Sequence, residues 1–447
     1  MNKRTNIFFI YFIFFFPIIG YSQNSWTLEE CINYALKNSL ELDQSLLQEN
    51  TEKLQYDLQK AKKIPSLSLF SNGGIQLGRS IDPTTNTFTN REVLYQTYGM
   101  QSNLTLYNWS GIKNLIKASE YRYEASTYKT KETELNTELN IITSYISMLN
   151  SKRQLQISKE IISLTSNQIK IVDSLIFYGK ATKVSQINLK AQLSKDSITF
   201  LQNMQSFNQS RTELMHLLNL PLNNSFDIKD SIINEGNTSF LYLLSTSPES
   251  IAKKVSTSHP SQLASLMETK SLALKVQAAK SAKMPTISMN TSIGSNYSNN
   301  FTQLNGKSIG YFDQILNTNL SRNFMLSITI PVFSQKNLST NIELAKINLK
   351  NQQIEQLIKT KNLEKLIYIA FDDAKKSYDE YKQNCTSLVY TEEAFRLNKM
   401  LFENGKIAVG EFLNSLNELS VSKLNNSYIF YNAQLKVMLL KVYDNET

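Results

Sequence analysis

The residues able to do chemistry are scattered along this chain. Asp372 and Asp373 form a carboxylate pair. Adjacent on a helical stretch, they point to different sides and cannot share a proton, and Lys375 and Lys376 offer them partners. The two histidines, His216 and His259, fall on different helical stretches. The two cysteines, Cys31 and Cys385, also sit in helical patterns, and their pairing cannot be inferred from sequence. No Cys, His or acid cluster has metal-ligand spacing. There is no nucleophile–base constellation and no glycine-rich phosphate loop. These residues predict no enzyme, no cofactor and no metal site. Glu392 is different, because the apolar step through Cys385 and Leu388 lands on it before Phe395. An acid on an apolar stripe needs water or a partner. The alternative is that the stripe drifts and Glu392 is an ordinary surface acid.

Two pairs of alternating segments stand between the helical stretches. Leu67, Leu69, Ile75 and Leu77 alternate with Ser68, Asn72 and Gln76, and Leu94, Tyr98, Met100, Leu104 and Leu106 with Thr97, Gln101, Asn103 and Thr105. The second pair sets Ile287, Met289, Ile293 and Tyr297 against Ser288, Asn290, Ser292 and Asn296, then Phe324, Leu326, Ile328 and Ile330 against Asn323, Ser327 and Thr329. Period-two alternation is the mark of a strand with one apolar and one wet face. It fits half-buried hairpins packed on helices, and equally the strands of an outer-membrane barrel.

The remaining chain narrows this choice. Lys3 and Arg4 precede an apolar run from Ile7 to Ile19, which reads as a signal peptide over residues 1–22. No later stretch is apolar for the ~20 residues of a spanning helix, so membrane embedding would be by strands. Two cysteines do not make a disulfide scaffold. The net charge of +9 is dispersed along helices with no basic, aromatic-interleaved stripe, which argues against nucleic acid.

Thr27-Leu-Glu-Glu30 is a capping box, opening a short helix and then a longer one that stops before Pro65. From Gly111 to Phe177 neither proline nor a further glycine interrupts a helix about 100 Å long, with a seam at Leu135, Leu139, Ile142, Ile146 and Leu149. Gly179 breaks it and a return helix runs over 183–218. The second seam passes through Ile367, Phe371, Ala374, Tyr378, Tyr381, Cys385 and Leu388. Gly405 breaks that helix, and its return helix carries Leu424, Tyr428, Tyr431, Leu435, Met438 and Val442. Similar short motifs recur in the two halves: Ile64-Pro65 with Met284-Pro285, Tyr178-Gly179-Lys180 with Asn404-Gly405-Lys406. The predicted organisation is therefore an internal two-fold repeat of helix, β-hairpin and long coiled-coil helix pair. The first repeat spans 23–220, with strands 66–77 and 94–106 and helices 110–177 and 183–218. A connector covers 221–247. The second spans 248–447, with strands 286–297 and 323–332 and helices 335–403 and 407–442.

Four strands cannot close a barrel, and open edges are not tolerated in lipid, so strands from other copies must complete it. Eight strands leave an interior that side chains fill, whereas twelve leave a channel. The expected fold is mainly α with a membrane β-barrel part: a homotrimer with a 12-stranded barrel continuous with a 12-helix tunnel.

The chain resembles the TolC-like outer-membrane efflux protein family. The resemblance is carried by Trp26-Thr-Leu-Glu-Glu-Cys-Ile-Asn-Tyr-Ala-Leu36, by Ile64-Pro65 and Met284-Pro285, by Pro331-Val-Phe333, and by the turns Phe177-Tyr-Gly-Lys180 and Phe402-Glu-Asn-Gly-Lys406. It implies a barrel in outer-membrane lipid, a periplasmic extension, and a tip docking on a periplasmic adaptor (membrane fusion protein) of an inner-membrane pump. Substrates would pass passively, in efflux or type I secretion. The tip would comprise Gly179, Lys180 and Val184 with Gly405, Lys406, Val409 and Gly410. Channels of this family narrow near the tip, which makes Asp173, Glu392 and Glu393 candidate lumen acids, since acidic rings select cations. The rival readings are a periplasmic coiled-coil adaptor and a structural protein of an export complex.

Overall fold

The structure is a computed structural model that describes residues 25–81, 86–90, 92–223, 225–230, 247–303 and 306–445. Segment 1–22, read from the sequence as a signal peptide, and most of the 221–247 span, read as a connector, lie outside the described residues. The chain runs α1 (Leu28–Asn38), α2 (Leu40–Ala61), β1 (Ser66–Gln76), β2 (Ser80–Ile81), β3 (Phe88–Thr89), β4 (Val93–Tyr107), α3 (Gly111–Phe177) and α4 (Lys183–Leu217). It continues with α5 (Pro248–Ser258), α6 (Pro260–Ser281), β5 (Thr286–Ser298), β6 (Ser321–Thr329), α7 (Asn337–Glu403) and α8 (Val409–Asn445). Helices α1 and α5 have 11 residues each, α2 and α6 have 22, and α3 and α7 have 67, so element order and length recur along the chain.

Local chemistry sets the helix limits. The Thr27 N–H donates to Glu30 Oε2 at 2.8 Å, and the Glu30 N–H to Thr27 Oγ1 at 3.3 Å, closing the capping box of α1. Ser247 caps α5, and proline opens both α5 and α6, where its missing N–H costs nothing. The strand-to-helix junctions are tight turns. The Gly111 N–H donates to Asn108 O at 2.9 Å across Trp109 and Ser110, which have φ of 51° and 65°. The Asn337 N–H donates to Ser334 O at 2.8 Å across Gln335 and Lys336, at 50° and 67°. Two successive positive φ angles are those of a type I′ turn, here built without glycine at the central positions.

One antiparallel sheet has the order β1-β4-β5-β6. Its register brings the alternation of all four strands into phase. Leu69 pairs with Met100 and Met100 with Ile293, while Leu104 pairs with Met289 and Met289 with Leu326. On the opposite face Ser66 pairs with Asn103, and Asn103 with Asn290. The apolar face is open to solvent in the single chain: Leu69 is 80% and Phe324 73% exposed. Strand β6 ends at Thr329, three residues before the end of the 323–332 span read from the sequence, because Pro331 has no N–H to extend the pairing. The connection from β5 to β6 carries a short helical segment, Tyr311–Asp313 continued by Gln314–Thr318. Gln314 ties it down: its Oε1 accepts from the Ser298 N–H at 2.9 Å and its Nε2 donates to Ser298 O at 3.0 Å.

The described residues pack as two compact units, each drawing on both halves of the chain. One takes the described residues of 25–39, 138–230 and 374–439; the other takes those of 40–137, 247–373 and 440–445 and holds the sheet. In the first, the Trp26 N–H donates to Asp227 O at 3.0 Å and the Lys229 N–H to Trp26 O at 2.9 Å. The buried Tyr145 hydroxyl reaches the carbonyls of Trp26 and Lys229 at 3.0 and 2.5 Å, pinning that pairing to α3. Cys31 and Cys385 are both free thiols, and burial pushes the Cys31 thiol up to about 12. The stripe expected on α8 is displaced. Tyr431, Ala433 and Val437 are buried, whereas Tyr428 is exposed. Large apolar residues mark a stripe in sequence, but closely packed helices also put small ones such as Ala433 between them. Among the described residues no helix is long and apolar enough to cross a membrane, which says nothing of a β-barrel.

Candidate functional site

The site is built on the two turns that reverse the long helices. Gly179 has φ of +71°; its N–H donates to Ile176 O at 3.0 Å, and the Lys180 N–H to Leu175 O at 2.8 Å. Gly405 has φ of +70°; its N–H donates to Phe402 O at 2.9 Å, and the Lys406 N–H to Leu401 O at 2.9 Å. Both are Schellman closures, which satisfy the last helix carbonyls and require a left-handed residue that glycine adopts without strain. Thr182 then caps α4, its Oγ1 accepting from the Ser185 N–H at 3.3 Å.

One apolar core lies under both turns. Val172 and Leu189, from the first helix pair, pack in a cluster with Phe395, Phe402, Phe412, Leu416 and Leu419 from the second. Phe402 and Phe412 stack with ring centroids 4.6 Å apart. The cluster holds the turns side by side on rigid helix ends.

The predicted tip residues fall in two environments. Gly179, Lys180, Val184, Gly405, Lys406 and Gly410 are exposed. Val409 instead packs against the shared core with Ile407 and Leu413. Sequence reasoning missed Phe177 and Tyr178 as surface groups: they are 84% and 71% exposed, with their rings edge to face. An aromatic beside a helix end reads as core unless its partners are known.

The candidate acids are all exposed, and each has a partner. Asp173 accepts a hydrogen bond from Gln186 Nε2. Glu392 lies off the inward stripe, which passes through the half-buried Leu388 and Thr391 to the buried Phe395, and its Oε1 is 3.4 Å from Lys423 Nζ. Glu393 takes two hydrogen bonds from Arg396, at 2.7 and 2.8 Å, and they hold its carboxyl below the usual carboxylate range. Neither Arg396 nor Lys423 was singled out from the sequence.

A second polar locus lies in the sheet-bearing unit, where α2, α3, α6 and α7 line a cleft of about 510 Å³. Its charges are largely matched: Arg122 Nε is 2.9 Å from the buried Glu52, Lys129 pairs with Glu268, and Glu355 with Lys359. Burial, then the nearby Arg122, lowers the Lys275 pKa. The arrangement crosslinks helices and presents no reactive constellation.

The sequence profile described as outer membrane efflux protein matches residues 31–220. Outer membrane protein OprJ of Pseudomonas aeruginosa is 21% identical over 423 residues, 93% of this chain and 83% of that protein. Cation efflux system protein CusC of Escherichia coli is 20% identical over 396 residues, 88% of this chain and 80% of that protein. The first repeat of the chain thus matches the outer membrane efflux protein family, and the whole chain is similar to two of its efflux proteins. Its fold is that of a solved member of the same architecture: outer membrane protein VceC of Vibrio cholerae superposes with a TM-score of 0.78 at 12% identity, over 93% of this chain and 96% of that one. Two parts of the chain stand out on that fold: a sheet with an exposed apolar face, and a pair of exposed turns on one shared core.

Proposed function

We propose that this efflux protein is the passive exit duct of a tripartite efflux or type I secretion system, formed by three copies of the chain. The supporting observation is the sheet. It has four strands, an apolar face exposed on every one of them, and outer strands β1 and β6 with one neighbour each. Such a sheet is stable in lipid only when other copies complete it, and twelve strands enclose a channel where eight would be filled by side chains. The polar face, rich in Ser, Thr, Asn and Gln, then lines the lumen. The helical remainder extends into the periplasm, and the two turns meet the adaptor of an inner-membrane pump, which supplies the energy. Asp173, Glu392 and Glu393 are exposed in the single chain, as lumen acids have to be. The two structural repeats are the units from which each copy is built. The adaptor alternative is disfavoured by the exposed apolar strand face, which a periplasmic binding protein would bury.

The deciding experiment is the native mass of the protein extracted from outer-membrane fractions in mild detergent, followed by conductance in a planar bilayer. A conducting trimer is expected. A monomer soluble without detergent would remove the duct. Unchanged reversal potentials in Glu392→Gln and Glu393→Gln channels would remove those two acids from the lumen.

A further inference from the structure

The polar face of the sheet carries two aromatic residues among the described strands, Phe70 on β1 and Tyr95 on β4. Each faces a glycine. Phe70 pairs with Gly99, and Gly74 with Tyr95. A Cβ placed on Gly99 would lie 2.3 Å from Phe70 Cζ, and one on Gly74 would lie 2.9 Å from the Tyr95 hydroxyl oxygen. Both rings therefore lie over the neighbouring strand's backbone, in the space a side chain would fill. The row through Phe70 continues to Gly99, Gly294 and Ser321, so nothing larger than serine follows the ring across the sheet. A glycine inside a strand weakens it and marks a close approach by another group. A ring laid over it restores the lost cover.

We infer that Phe70 and Tyr95 set the free bore of the strand-lined part of the duct, with Gly99 and Gly74 holding the rings flat against the wall. The inference rests on the duct reading, in which this face is the lumen. With three copies, each position acts three times around the same ring. Any side chain at Gly99 forces Phe70 off the wall, and the only open direction is into the lumen. Removing the ring widens the same level.

Single-channel conductance of purified trimers tests this with Phe70→Ala, Gly99→Ala and the double variant. Gly73→Ala, one position along on the apolar face, serves as a control. The expected result is a lower conductance for Gly99→Ala, a higher one for Phe70→Ala, recovery in the double variant to the Phe70→Ala level or near it, and no change for Gly73→Ala. If Gly99→Ala does not assemble, Phe70→Ala alone decides: a rise supports the assignment and no change overturns it. A conducting wild type whose conductance is the same in Gly99→Ala and Phe70→Ala overturns the bore assignment and leaves the duct intact. A wild type that does not conduct overturns the duct reading, and the inference with it.

Discussion

The two helix-reversing turns have one backbone and two surfaces. At Gly179 and Gly405 the φ angles and the paired carbonyl contacts match almost to the degree and tenth of an ångström. The side chains just before each glycine do the opposite things. The first turn puts Phe177 and Tyr178 into solvent, whereas the second has Glu403 and Asn404 there and turns Phe402 inward onto Phe412. The helix approaching the first turn carries a neutral-donor contact, Gln186 to Asp173; the helix approaching the second carries ion pairs, Glu393 with Arg396 and Glu392 with Lys423. A closure set by glycine geometry leaves the flanking side chains free to specialise. The first turn thus presents an exposed aromatic pair, and the second anchors the core beneath both.

The strongest way to break this comparison is to remove the anchor. Phe412 is 1% exposed, and Phe412→Ala is expected to cost about 3–5 kcal/mol locally. Hydrogen exchange should then speed up at both turns; acceleration at the second alone would mean that the core is not shared. Next in size is docking. Phe177→Ser with Tyr178→Ser should weaken adaptor binding about tenfold or more, as loss of an aromatic hot spot does. Glu403→Ser with Asn404→Ser should leave it nearly unchanged, and the reverse ranking in a binding titration would exchange the roles of the turns. Gly179→Ala and Gly405→Ala should each cost about 1–2 kcal/mol, the penalty of a left-handed alanine. No atom lies within 4 Å of either added Cβ, so the two costs should be equal in thermal melts.

The smallest effect is electrostatic and belongs to the second turn's approach. The Glu393 carboxyl is held below its ordinary value of 4.5 by the Arg396 hydrogen bonds. A depressed carboxylate stabilises the fold above the unfolded-state value, and the gain is lost as pH falls through the folded one. Melting temperatures from pH 6 to pH 3 should therefore decline slightly more for the wild type than for Glu393→Gln. Superimposable curves would show that this exposed pair adds nothing.

Helix limits were legible because proline and glycine act locally: Pro65, Pro285, Gly179 and Gly405 stop or turn the chain whatever packs around it. The strands were legible because alternation has a period of two and every side chain counts. The α8 stripe slipped because a stripe extrapolated by fixed steps drifts by one residue within a few turns. The same drift, one of the two readings of Glu392, leaves that acid exposed and puts the half-buried position at Thr391. The junctions through Trp109-Ser110 and Gln335-Lys336 were invisible, since neither pair contains a residue that announces positive φ. Val409 looked like a tip residue because it follows the turn, but its face of α8 meets the core.

The shared core beneath the turns also dictates an order of events in synthesis. Val172 and Leu189 are delivered early, yet the residues that cover them, from Phe395 to Leu419, come more than two hundred positions later. Contacts this distant in sequence form slowly, and until they do the early apolar groups stay uncovered. A chain synthesised from its N-terminus therefore cannot finish this core until nearly all of it has been made. A copy truncated before α8 would keep Phe395 and Phe402 beneath the turns but lose Phe412, Leu416 and Leu419, the greater part of what the second half of the chain brings to that core.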